Sequence, residues 1–149
     1  MEHGTANEEQ EMKGDDLAER LLEFAHQVLR LCKELRQDLP GRHVARQLIR
    51  ASSAGGAIYE EARGAESRAD FVHKIGIATK EVRESLYWLK LIERADLAPG
   101  HRPKELIREA GELVAILTAS GRTAKTRTGN GRTPGIGPSD VIGDGSRDR

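Results

Sequence analysis

Two pairs of residues have the types and spacing for metal or acid–base chemistry: Glu23 with His26, and Asp70 with His73, each a carboxylate three residues before an imidazole. In carboxylate-bridged di-iron bundles such pairs project inward from facing helices. On a helical wheel of about 100° per residue with Leu17 at zero, Glu23 falls near ~240° and His26 near ~180°, while the apolar residues of that segment stay close to zero. Asp70 and His73 fall near ~260° and ~200° from Phe71, again away from the apolar seam. Both pairs read as solvated surface, so no metal is expected. The single cysteine, Cys32, excludes an internal disulfide and a multi-thiolate site and reads as a small buried hydrophobe. The one glycine-rich stretch in the body of the chain, AGGA, has neither the lysine nor the preceding strand of a phosphate-binding loop. No serine, histidine and acid fall in a strand–turn–helix setting, and the GNG and GIG of the tail lie in low-complexity sequence. No catalytic residue and no cofactor is expected; the chain does not read as an enzyme.

Basic residues at helical spacing are a stronger signal. Lys80, Arg83, Tyr87, Lys90 and Arg94 share one outward sector, a cationic stripe with an aromatic inside it that can follow phosphates and stack a base. Arg42, Arg46 and Arg50 stand at i, i+4 and i+8 opposite the apolar face of the preceding segment. These eight residues are the candidate nucleic-acid contacts. Ile77, Trp88 and Leu91 fall outside the narrow apolar seam that runs from Phe71 to Ile92, and a large apolar group among charged neighbours points to a subunit interface anchored by Trp88.

Four helices have to position these residues. The first, over 16–38, carries Leu17, Leu21, Phe24, Val28, Leu31 and Leu35 at alternating steps of four and three, with Asp15 and Asp16 at its start and Pro40-Gly41 marking its end. The second, over 42–63, has Val44, Leu48, Ala51, Gly55, Ile58 and Ala62 on one face. Its centre, ASSAGGA, is all small residues, which implies close approach of another helix or a kink. The third opens at Ser67 with Asp70 three residues on, a capping-box variant, and runs to about Ala95 through Phe71, Ile75, Ala78, Val82, Leu89 and Ile92. The fourth begins near Pro103 and buries Leu106, Ala110, Leu113 and Leu117, ending near Lys125. The fold class expected is all-α: an antiparallel up-down four-helix bundle over 16–126, between a disordered acidic N-terminus (1–15) and a disordered Gly/Pro-rich tail (127–149).

Composition agrees with that class. Of 149 residues 37% are hydrophobic and only 3% aromatic, which disfavours an aromatic-rich β-sandwich or barrel. The zero net charge conceals a gradient, with residues 1–15 at −4, 16–127 at +4 and 128–149 at zero. Any nucleic-acid binding must therefore come from a local patch rather than a bulk excess. No membrane span or secretion signal is legible, and a cytoplasmic location is expected.

The segment from Gln47 to Leu97 resembles the bacterial four-helix proteins encoded within intervening sequences of 23S rRNA genes, with the accessory proteins of diversity-generating retroelements as similar proteins. The matching landmarks are Glu61-Ala62, Ala65-Glu66-Ser67, Asp70-Phe71, Lys80-Glu81, Glu84 and Tyr87-Trp88-Leu89. The resemblance implies an up-down bundle, a ring-like homopentamer, no known catalysis and a nucleic-acid-related role. It also implies polar family positions at Glu61, Glu81 and Glu84. At one place the chain departs from the pattern: Ile58 stands where the family carries Asn, which removes any hydrogen bond from that position to the third helix.

Two functions follow as expectations. One is a non-enzymatic homo-oligomer binding RNA or DNA through its basic outer helix faces. The other is a protein–protein interaction scaffold without a nucleic-acid role, which the neutral overall charge favours.

Overall fold

The computed structural model describes residues 4–129 and contains four long helices: α1 (Ala6–Glu34), α2 (Leu39–Arg63), α3 (Arg68–Arg94) and α4 (Arg102–Gly129). Each packs against the next in the chain and α4 returns to α1, while the diagonal pairs stay apart. α3 lies tightly against both α2 and α4, and the α1–α4 seam is the loosest. Arg20 spans that seam, its guanidinium donating to Glu109 at 2.9 Å and to Glu112 at 2.7 Å.

The seam of α1 is buried as its period requires: Leu17, Leu21, Phe24, Val28, Leu31 and Leu35 all lie in the core. So do Leu106, Ala110, Leu113 and Leu117 of α4. Near the C-terminus of α2 Tyr59 joins Ala62 in the core, while Ile58, expected there, is only half-buried on the flank. The Tyr59 hydroxyl donates to the Gly14 carbonyl at 3.3 Å, which gives the phenol a partner when its ring enters the core. Ser52 and Ser85 are also buried, and each hydroxyl donates to a carbonyl of its own helix. Among the described residues no buried side-chain nitrogen or oxygen lacks a partner.

The helix boundaries correct two expectations. Residues 6–15, expected to be disordered, form the first turns of α1. Thr5 caps them: its hydroxyl accepts from the Glu8 amide and the Glu8 carboxylate accepts from the Thr5 amide at 2.8 Å. Asp15 pairs with Arg63 of α2, fixing these turns to the bundle. An apolar period is not what holds this stretch, so periodicity could not find it. Pro40-Gly41 does not close α1 but opens α2, inside the first turn behind the N-cap Asp38. The Asp38 carboxylate accepts from the Gly41 amide at 3.0 Å, and the proline occupies a position whose amide has no helical partner. α4 continues to Gly129, and the rest of the expected tail, 130–149, lies outside the described residues.

The small-residue run of α2 is continuous helix. Close approach explains it: a Cβ on Gly55 would stand 2.8 Å from Val82 Cγ2 of α3.

Candidate functional site

The antiparallel packing of α2 and α3 builds one polar cluster on the outside of their groove. Arg50 of α2 donates to Glu81 at 3.1 Å and also to Glu84, both on α3. The indole Nε1 of Trp88 donates to the same Glu84 oxygen at 3.2 Å. His43 of α2 and Tyr87 of α3 both meet the Trp88 ring edge-to-face, with centroids 5.8 Å and 5.0 Å away. The Arg50 hydrogen bond, with that of Trp88 second, holds the Glu84 carboxyl below the usual carboxylate range. Of the three positions that the resemblance marks as polar, Glu81 and Glu84 converge on Arg50 while Glu61 is exposed and outside the cluster.

This arrangement divides the eight candidate nucleic-acid contacts. Arg50 is engaged by two carboxylates, and Arg42 donates to the Gln37 carbonyl. Arg46, Lys80, Arg83, Lys90 and Arg94 are exposed and form no ion pair among the described residues. Tyr87, 59% exposed, lies among the α3 cations. The two basic stripes do not merge into one surface, because Glu81, Glu84 and Trp88 lie between them. Trp88 and Leu91 are half-buried against the chain's own core, and Ile77 is half-buried too.

The carboxylate–imidazole pairs do not converge. Glu23 and His26 pair with each other on the exposed face of α1 at 3.3 Å, and Asp70 pairs with Lys74 at 3.2 Å. Among the described residues no cluster of three or more His, Cys, Asp or Glu is placed to hold a metal ion. Burial pushes the Cys32 thiol up to about 11, so it stays protonated and unreactive near neutrality. No helix among the described residues is long and apolar enough to cross a membrane.

One feature was not anticipated from sequence. An open cleft of about 1630 Å³ lies at the end of the bundle where the first turns of α1 meet the last turns of α4. Tyr59, Phe71 and Ile116 form part of its floor, while Arg63, Arg68 and Glu66 stand among the charged residues of its rim. Its signal in the sequence was the Thr5–Glu8 capping spacing, which extends α1 past the apolar seam.

The sequence matches the family described as 23S rRNA-intervening sequence protein over residues 16–119. The chain belongs to that family. A crystal structure at 1.70 Å of a protein of unknown function from the S23 ribosomal protein family of Bacteroides thetaiotaomicron is similar, with a TM-score of 0.68 and 30% identity. The similarity covers 74% of this chain and 98% of that one. No curated protein matches the chain. The part matching the 23S rRNA-intervening sequence family holds the α2–α3 polar cluster, whereas residues 6–15 of α1, which help line the cleft, lie before it.

Proposed function

We propose that this 23S rRNA-intervening sequence family protein is a non-enzymatic bundle that assembles with copies of itself and binds RNA or DNA along the outer face of α3. The observation that carries the reading is the row Lys80, Arg83, Lys90 and Arg94, exposed, without ion pairs among the described residues, and with exposed Tyr87 among them. Cations left unpaired beside available carboxylates are free to take phosphates, and an aromatic in the row offers a stacking face. Arg46 adds a fifth free cation on α2. The resemblance drawn from the sequence adds a ring of five copies and a kinship with retroelement accessory proteins; to these the proposal joins a cytoplasmic setting and, from their place outside the narrow apolar seam of α3, Ile77, Trp88 and Leu91 as contacts between copies.

Filter binding of a structured RNA at two salt concentrations tests this. If the four α3 cations each neutralise one phosphate of a single-stranded stretch of the RNA, affinity drops roughly 50-fold between about 50 and 200 mM salt. Arg83→Glu with Lys90→Glu lowers it further at low salt. Absence of binding at low salt leaves the scaffold reading, which the equal count of 24 basic and 24 acidic residues favours.

A further inference from the structure

α1 carries a second heptad series one residue out of step with its core seam: Ala18, Leu22, Ala25 and Leu29. One residue is about 100° of helix, so α1 has two apolar stripes, and the leucines of the second, unlike those of the first, are left outside the core. Leu22 is 64% and Leu29 46% exposed, and the two alanines between and before them are half-buried. The stripe borders the groove with α2, since its next member, Cys32, has its sulfur 3.9 Å from the Ala45 carbonyl oxygen. A Cβ on Gly56 of α2 would lie 3.6 Å from Leu21 Cβ, so the antiparallel register sets Leu29 level with half-buried Ile49.

The charges beside this stripe are sorted along the helix. Asp15, Glu19 and Glu23 lie on the N-terminal side of Ala25, and His26, Arg30 and Lys33 on the C-terminal side, all six exposed. Glu19, Arg30 and Lys33 have no ion pair among the described residues. A parallel neighbour would set like charge on like charge. A neighbour turned end for end sets Leu22 against Leu29, Glu19 near Lys33 and Glu23 near Arg30 of the second copy.

We propose that α1 is a self-association surface that pairs two copies of this chain antiparallel, about a two-fold axis beside Ala25 and His26. An isologous contact of this kind needs each patch to be complementary to itself, and the acidic-to-basic polarity about a leucine pair satisfies that condition. The surface is separate from the α3 contacts and goes beyond the proposed ring. About 20 residues of each α1 overlap, roughly 30 Å of helix, so the interface is small and pairing depends on concentration.

Disulfide trapping locates the axis. In a Cys32→Ala background oxidised with diamide, His26→Cys places two thiols side by side and yields a covalent dimer. Asp15→Cys places them roughly 30 Å apart along the axis and does not. Separately, Leu22→Lys with Leu29→Lys halves the mass seen by sedimentation at tens of micromolar while circular dichroism keeps its helical signal. Failure of His26→Cys to cross-link, equal cross-linking by Asp15→Cys, or an unchanged mass for the double-lysine variant each overturns the pairing. The ring is tested apart: Trp88→Ala that lowers the mass while His26→Cys still cross-links leaves the α1 contact standing, and an RNA-binding failure bears on neither.

Discussion

Gly55 of α2 lies so close to Val82 of α3 that a Cβ on the glycine would stand 2.8 Å from Val82 Cγ2. A valine in a helix has essentially one χ1 rotamer, so it has little freedom to withdraw. Gly55→Val is expected to cost about 1–3 kcal/mol or more through overpacking. One residue along, a Cβ on Gly56 meets Leu21 at an ordinary 3.6 Å, so Gly56→Ala gains about 0.5–1 kcal/mol from helix propensity. Thermal melts of the two variants read the contrast, and equal melting temperatures would contradict the close α2–α3 contact.

Gly41 is constrained by backbone. A Cβ there would fall 1.8 Å from the Arg36 carbonyl oxygen, which no rotamer change relieves. Gly41→Ala must move the turn between α1 and α2, with an expected loss of about 3 kcal/mol or more. Gly76 of α3 has open space at the same position, and Gly76→Ala is expected to gain about 0.5–1 kcal/mol. Denaturant midpoints measured side by side separate the two glycines.

Asp96 ends α3 with a positive φ of 51°. The Leu97 amide donates to the Ile92 carbonyl at 3.1 Å and the Asp96 amide to Glu93 at 3.3 Å, the pair of bonds of a left-handed helix cap. Asp96→Val is expected to lose about 1–2 kcal/mol, because a β-branched residue resists this backbone region, and Asp96→Gly to lose nothing. Equal stability of the valine and glycine variants in urea would show that the turn does not hold this conformation in solution.

Glu84 links stability to pH. Arg50 and then Trp88 hold its folded-state carboxyl below the usual carboxylate range, so the folded protein favours the ionised form. The resulting stabilisation is present above the unfolded-state value and is lost as pH falls through the folded-state one. Since the Glu84 side chain is 37% exposed, the contribution is discounted to under about 1 kcal/mol. Melting temperatures from neutral pH to about pH 3 should fall less steeply for Glu84→Gln than for the parent. Superimposable profiles would show that the contact has no weight in solution.

Much of the bundle could be read from the residues. The seams of α1 and α4, the cap at Ser67 and the small-residue contact at Gly55 all rest on local rules: a 3.6-residue period, an oxygen three residues before an amide, a missing Cβ. These act within one or two helical turns and are written in consecutive residues. The first turns of α1 carry no apolar period because the Thr5 cap and the Asp15–Arg63 pair hold them, not burial, and Pro40-Gly41 points to a helix end and to a helix start alike because a proline suits both. The state of the basic residues could be settled only in three dimensions. Nothing local distinguishes Arg50 from Arg46, four residues earlier on the same face. What separates them is that Glu81 and Glu84, more than thirty residues away, meet the first and not the second. Likewise the heptad residues Leu22 and Leu29 carry a period as regular as the core seam, and it is the packing of α1 that buries the leucines of one stripe and leaves those of the other in water. Periodicity determines which residues share a face, whereas the neighbours brought to that face by the fold determine whether it is buried, paired or free.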